Sequence, residues 1–141
     1  MSEERPLRFM IVATDKYHKE IVDGFVNTAK ELLTRDNITF GEVRVPGVHE
    51  IASAIDDIAG SEEGKKIDGY IALGCFEDDN IGAGAMTGLQ IAALSHHINI
   101  GNGIRSLHDE TRASGAEQAI LACKWRVAFR QRFTPAGTQQ G

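Results

Sequence analysis

The sequence has few cysteines, and this shortage excludes two classes of protein. Its 141 residues include only Cys75 and Cys123. Two thiols are too few for the disulfide framework of a small secreted domain, and their separation matches no metal-ligand spacing. We therefore expect a reducing compartment, the cytoplasm, and no bound metal.

The chain also lacks an excess of positive charge and a long apolar run. Its net charge is −5, which argues against a general nucleic-acid binder. The longest stretch without Asp, Glu, Lys or Arg, residues 80–104, contains five glycines, two histidines and three asparagines. It is too polar to span a membrane, and the charged start MSEERPLRF has no apolar signal core. We expect neither nucleic acid nor membrane as a partner.

What the chain does contain is an alternation of short apolar runs and amphipathic segments. The expected strands are 7–14, 38–45, 67–74 and 98–104, and the expected helices are 19–36, 49–60, 84–97 and 114–133. This order predicts an α/β fold, a three-layer α/β/α, flavodoxin-like domain with a four-stranded parallel sheet. The third helix is expected to bury Met86, Leu89, Ala93 and Leu94.

The length suits one domain, which we place at residues 1–133, followed by a disordered tail at 134–141. In a parallel sheet with right-handed crossovers, the strand-to-helix loops lie at one edge, where ligands bind. The loops to inspect are therefore TDKYH, PGVHE, GCFEDDN and GNGI.

Three glycines, Gly82, Gly84 and Gly88, suggest a phosphate-binding loop at first sight. A dinucleotide fingerprint would follow the first strand directly, whereas these glycines follow the third strand after a run of acids. We expect them to be small residues at a helix start that permit close packing. A single phosphate on the free amides of Gly82 to Ala85 is the alternative, which would make the protein an unrelated flavodoxin-like phosphate binder.

Four stretches, in order, resemble the lumazine synthase (6,7-dimethyl-8-ribityllumazine synthase) family. They are FMIVAT, VRVPGVHEI, DGYIALGC and LSHHINIGNGI, and the closing AFRQRF is similar to ends seen in that family. The resemblance implies condensation of a ribitylamino-pyrimidinedione with a butanone phosphate in riboflavin biosynthesis, without a cofactor. It also implies a site between subunits of a homopentamer, in some members within an icosahedral shell of sixty subunits, and riboflavin synthase as a partner.

The resemblance places substrate-binding residues at Tyr17, Val48, His49, Glu50, Cys75, Phe76 and Asn102. It implies that Val48 and His49 offer backbone contacts, while the Glu50 carboxylate accepts from ribityl hydroxyls. Cys75 and Phe76 would lie under the heterocycle, and Asn102 would line the facing side. For Tyr17, stacking on the pyrimidine and packing over the first helix remain open.

The chain departs from the family in the catalytic loop after ALG. That loop is shorter here, and the family's G-E-T motif and following histidine do not occur between Gly74 and Gly88. The general base is therefore unknown. His49 is the candidate substitute, and of the two other loop histidines His108 is preferred to His18.

The part of the expected site that binds phosphate in the family also differs in this sequence. The segment after IGNGI is shorter than in the family, and Arg112 is the only candidate for its phosphate-binding basic residue. Glu77, Asp78 and Asp79 place negative charge in the loop that holds the phosphate. Two functions follow: a lumazine synthase with reduced activity, or a catalytically inactive relative that acts as an oligomeric scaffold or a lumazine or flavin binder.

Overall fold

The computed structural model describes residues 5–133, and it confirms the predicted alternation of strands and helices. The elements are β1 (Arg8–Thr14), α1 (Lys19–Arg35), β2 (Thr39–Val45), α2 (His49–Ala59), β3 (Gly69–Phe76), α3 (Asp79–His96), β4 (Ile100–Ser106) and α4 (Gly115–Arg132). Short 3₁₀ turns cover Glu63–Lys66 and Arg112–Ser114. The predicted disordered tail lies outside the described residues.

The four strands form one parallel sheet in the order β2-β1-β3-β4. The chain crosses from β1 to β2 on one side and then returns to β3 on the other. The loops after β1 and β3 therefore diverge and leave a crevice at the carboxyl edge, which is the usual ligand position in open α/β sheets. This topology confirms the predicted flavodoxin-like fold.

Each face of the sheet is covered by a pair of helices. Alternate β1 residues point to opposite faces, so Phe9 and Ile11 pack under α1 and α4 while Met10 and Val12 pack under α2 and α3. All eight residues of β3 are buried, as expected for a central strand covered on both sides. Among residues 5–133, no helix combines the length and the apolar character that a membrane crossing requires.

The glycines of IGNGI allow α4 to lie very close to β4. A Cβ atom on Gly101 would collide with the backbone carbonyl of Ala119 in α4. The helix is therefore held against the edge strand by backbone contact rather than by interleaved side chains. Buried residues of α4 match the predicted stripe: Ala116, Ala119, Ile120, Cys123 and Val127.

Replacement of Gly101 by alanine is expected to lower the free energy of unfolding by about 1–3 kcal/mol, because α4 must shift to make room. The matched control is Gly24→Ala in α1, where a Cβ would meet no atom within 4 Å. That change should instead raise stability by about 0.5–1 kcal/mol. Urea unfolding followed by circular dichroism measures both, and equal effects of the two variants would contradict the close contact.

The third helix differs from its prediction in both start and orientation. It begins at Asp79 rather than at Gly84, because the Asp78 side chain caps it by accepting a hydrogen bond from the amide of Asn80 at 2.8 Å. The expected burial of Leu94 is wrong, since this residue is 77% exposed. The buried stripe consists of the small residues Gly82, Ala85 and Ala92 together with Leu89, and Leu94 lies on the opposite side of that stripe.

Candidate substrate-binding cleft

A cleft of about 490 Å³ opens at the carboxyl edge of the sheet, where the loops after β1, β2 and β3 meet. The strand order reverses between β1 and β3, and the cleft lies at that point of the sheet. Its lining residues are Thr14, Lys16, Tyr17, His18, Pro46, Gly47, Val48, His49, Glu50, Cys75, Phe76, Glu77, Asp78 and Ile81. The volume suits a small heterocyclic ligand.

The structure brings six of the seven predicted substrate-binding residues into this cleft. They are Tyr17, Val48, His49, Glu50, Cys75 and Phe76. Val48 and Phe76 are largely buried and form apolar wall, whereas the Tyr17 ring is 58% exposed. The Lys16 ammonium lies 5.5 Å from the centre of that ring. One side of the cleft is thus apolar and its rim is aromatic and charged.

Asn102 and Arg112 lie outside the cleft. Asn102 is in the middle of β4, where its side-chain oxygen accepts a hydrogen bond from the amide of Ile104 at 2.9 Å. Arg112 donates to the carbonyl of Leu107 at 2.9 Å and lines a separate shallow groove beside α1. Within one chain, neither side chain takes part in the cleft.

Glu50 is held at the rim by a reciprocal pair of hydrogen bonds. The amide of Gly47 donates to Glu50 Oε1 at 2.9 Å, and the amide of Glu50 donates to the Gly47 carbonyl at 3.0 Å. This arrangement caps α2 in the manner of a capping box. Glu50 therefore stabilises the helix start, and the same bond fixes its carboxylate beside the cleft.

Phe76 and Cys75 lie at the end of β3 but face opposite sides of the sheet. Phe76 packs toward α3, where a Cβ on Gly82 would overlap its ring. This contact confirms the predicted packing role of that glycine. Cys75 belongs to the core under α1 and α4, and burial raises the pKa of its thiol although Arg112 partly opposes the rise. A neutral, buried thiol at this position is a poor nucleophile.

The glycine amides proposed as a phosphate site are inside α3, so that alternative is wrong. The amide of Gly82 donates to the Asp78 carbonyl at 3.1 Å, and the following residues continue the helical hydrogen bonding. Of the three loop acids, Glu77 and Asp78 line the cleft, whereas Asp79 forms the first turn of α3. Negative charge is thus present at the entrance, as the sequence indicated.

A histidine that the sequence does not favour, His18, lies in the cleft. His18 Nε2 is 3.2 Å from Glu77 Oε2, and both residues belong to the lining. His108, the histidine preferred from the sequence, follows β4 and lies outside the cleft. The sequence feature that could have indicated His18 was its position directly after Tyr17, in the loop that follows the central strand β1.

The Thr14 hydroxyl is a further polar group that sequence reasoning missed. Thr14 ends β1 at the inner end of the cleft and is 1% exposed. Its Oγ1 finds no hydrogen-bond partner among residues 5–133. A buried hydroxyl without a partner typically costs about 1–3 kcal/mol, so a polar group of a ligand or a water molecule is favoured next to it.

An α/β/α domain whose cleft lies at the topological switch point belongs to the flavodoxin-like class of small-molecule-binding proteins. Sequence comparison gives the family within that class. The profile of the 6,7-dimethyl-8-ribityllumazine synthase family matches residues 6–124. The chain belongs to this family, which confirms the resemblance seen in the four sequence stretches.

Similar proteins match along most of the chain. A 6,7-dimethyl-8-ribityllumazine synthase of Bartonella henselae is 30% identical, with 88% of this chain and 89% of that protein covered. The 6,7-dimethyl-8-ribityllumazine synthase 1 of Rhizobium meliloti is 28% identical, with 95% and 92% covered. The corresponding synthase of Paramagnetospirillum magneticum is 24% identical, with 74% and 76% covered.

Proposed function

We propose that this protein is a lumazine synthase that acts in riboflavin biosynthesis in the cytoplasm, and that its cleft binds the ribitylamino-pyrimidinedione. The observation that carries the proposal is the convergence of the loops after β1, β2 and β3. They bring together, in one cleft of a family member, six positions that resemble the family's pyrimidine-binding residues.

The cleft offers the contacts that such a substrate needs. The heterocycle is bound between the apolar wall of Val48 and Phe76 and the exposed ring of Tyr17. Aromatic stacking of this kind contributes about 0.5–1.5 kcal/mol beyond buried area. The ribityl hydroxyls donate to the Glu50 carboxylate, which the Gly47 amide already holds in position. Charge-assisted hydrogen bonds are stronger than neutral ones.

The butanone phosphate is bound less well than the pyrimidine. Glu77 and Asp78 occupy the entrance, and the amides of Gly82 to Ala85 are used within α3. Condensation still proceeds, because the orientation of two reactive substrates lowers the barrier by several kcal/mol. Its rate is reduced, because the second substrate is bound weakly. The loss of a positioned acid–base group typically costs about 10²- to 10⁴-fold in rate.

Self-assembly into a homopentamer completes the site in this proposal. The side chains that support it are large, apolar and exposed on α3 and α4: Ile91, Leu94, Leu121, Trp125, Phe129 and Phe133. Such faces are typical of protein–protein contacts. Asn102 and Arg112, which lie outside the cleft of their own chain, would reach the cleft of a neighbour. The same proposal includes assembly of pentamers into a sixty-subunit icosahedral shell. It also includes association with riboflavin synthase.

The test combines a turnover assay with a binding assay. The protein is mixed with both substrates and lumazine absorbance is followed, and riboflavin is titrated separately by fluorescence. Turnover together with binding is expected. Binding without turnover would select the second candidate, an inactive relative that binds lumazines or flavins, which the missing loop histidine favours. The absence of both would overturn the proposal.

Riboflavin is expected to bind far more tightly than inorganic phosphate. A micromolar dissociation constant is expected for riboflavin, and none below about 1 mM for phosphate. Neutralising the acids in Glu77→Gln, Asp78→Asn and Asp79→Asn should leave phosphate binding weak, because the amides of Gly82 to Ala85 are used within α3. The amide side chain introduced at position 78 can still cap α3. Isothermal titration calorimetry measures both ligands. A phosphate dissociation constant of tens of micromolar for the unmodified protein would restore the loop as a phosphate site.

A further inference from the structure

We propose that His18 and Glu77 form the proton-transfer pair of this cleft. The assignment depends on the proposed function, since it concerns the acid–base chemistry of that reaction. It differs from the sequence expectation, which named His49. It also differs from the family's arrangement, because the histidine comes from the loop after β1 rather than from the loop after β3.

The pair joins the two loops that diverge at the switch point. His18 precedes α1, and Glu77 directly follows β3, so the contact at 3.2 Å spans the crevice between neighbouring strands β1 and β3. The His18 side chain is 23% exposed and that of Glu77 is 64% exposed. The imidazole is therefore partly shielded, and the carboxylate lies at the entrance.

The backbone of His18 is held in a conformation that favours this contact. Its φ of 54° and ψ of 40° are left-handed, which is uncommon and costly for a residue with a side chain. Its carbonyl accepts the amide of Val22 at 3.1 Å and so starts α1. Its side chain makes no capping hydrogen bond and instead contacts Glu77. Costly backbone geometry of this kind concentrates at functional sites.

The geometry gives the two ring nitrogens of His18 different neighbours. Nε2 lies 3.2 Å from Glu77 Oε2, close enough for an ion pair when the ring is protonated. Nδ1 is then the nitrogen left for substrate. Glu77 is therefore a positioning residue, and His18 is the group that exchanges the proton with substrate.

The proton balance of the condensation requires such a group. When an amine condenses with a ketone, a C=N bond replaces the C=O bond. The nitrogen loses two protons, and the carbonyl oxygen gains both and leaves as water. His18 Nδ1 takes each proton in turn from the nitrogen and gives it to the oxygen. The imidazole ends each cycle unchanged, and no oxidant or reductant takes part.

Other charged groups of the cleft come from all three loops. Lys16 is in the loop of His18, His49 and Glu50 begin α2, and Asp78 follows Glu77. Lys16 contributes positive charge and the carboxylates contribute negative charge, so the pair lies between charges of both signs.

The experiment compares His18→Gln, Glu77→Gln and the double variant with His97→Asn, at the C-terminal end of α3 and outside the cleft lining. We expect kcat for lumazine formation to fall by about 10²- to 10⁴-fold in His18→Gln, with riboflavin affinity within about threefold of the unmodified protein. Glu77→Gln should lose about 10- to 100-fold. The double variant should be no worse than His18→Gln, because the two residues act as a unit. His97→Asn should be unchanged, because asparagine tolerates the left-handed backbone at that position.

Two readouts separate a chemical role from a structural one. Added imidazole should restore part of the activity of His18→Ala. A limb of the pH–kcat profile of the unmodified protein should disappear in His18→Gln. Retention of kcat in His18→Gln, or equal losses of kcat and riboflavin affinity, would overturn the assignment.

A failure of the proposed function is recognised separately. If the unmodified protein forms no lumazine, the proposed reaction is wrong, and the pair is judged by nuclear magnetic resonance. The His18 ring resonances should then shift when riboflavin binds, and they should also shift in Glu77→Gln. Ring resonances that respond to neither riboflavin nor Glu77→Gln would exclude the pair as a unit of this cleft.

Discussion

Replacement of both Trp125 and Phe129 by glutamate is expected to dissociate the proposed homopentamer into monomers or small species. These residues lie on one exposed face of α4 with Leu121, and Phe133 continues that face directly after the helix. The Trp125 and Phe129 rings stack with centroids 5.0 Å apart, and the Phe129 and Phe133 rings are tilted with centroids 4.9 Å apart. Two unpaired carboxylates in such a contact typically cost several kcal/mol each.

Multi-angle light scattering at micromolar concentration measures this change. The matched control is Asn27→Glu with Thr34→Glu, which adds the same charge on exposed polar positions of α1. The control should keep the mass of the unmodified protein. Dissociation of the control as well would attribute the effect to net charge, and an intact assembly of the Trp125 and Phe129 variant would remove α4 from the contact. A stable monomer of the unmodified protein would overturn the pentamer itself.

Glu50→Ala is expected to weaken riboflavin binding by about 1–3 kcal/mol, or roughly 5- to 150-fold in dissociation constant. The ribityl hydroxyls lose their charged acceptor at the rim of the cleft. The Gly47 amide also loses its partner, at a cost to stability of about 1 kcal/mol, so the domain should remain folded.

The control for this prediction is Glu50→Gln, which keeps an acceptor oxygen for Gly47 but removes the charge. We expect Glu50→Gln to retain thermal stability and to show an intermediate affinity in calorimetry. If Glu50→Ala and the unmodified protein bound riboflavin equally, Glu50 would have only its helix-capping role. If Glu50→Ala failed to fold, the affinity of Glu50→Gln would still report on the charge.

Most of the fold was predictable because apolar periodicity determines which faces are buried. In α4 the predicted buried stripe is the observed one. In α3 the predicted start and the predicted burial of Leu94 were wrong, whereas Leu89 is buried as predicted, and small residues form the rest of the buried stripe. Leu94 fits helical spacing as well as Leu89 does, and hydrophobicity alone does not distinguish a core face from a face that is free to contact another chain.

The cleft was predictable in part. Parallel topology predicts that the loops after β1, β2 and β3 meet at one edge, and the family resemblance then pointed to Tyr17, Glu50 and Phe76 within those loops. The contact between His18 and Glu77 was not, because it depends on a left-handed backbone at His18 and on two loops that meet only in the folded sheet. No local pattern in the sequence encodes either feature.

The two tightly packed glycines constrain the family's sequences in different ways. Gly82 lies against the Phe76 ring, so a larger residue at position 82 is compatible with a smaller residue at position 76, and the two sites are expected to covary among relatives. Gly101 lies against the backbone carbonyl of Ala119, and no side-chain change elsewhere removes a carbonyl. Position 101 should therefore stay glycine wherever α4 keeps its present distance from the sheet.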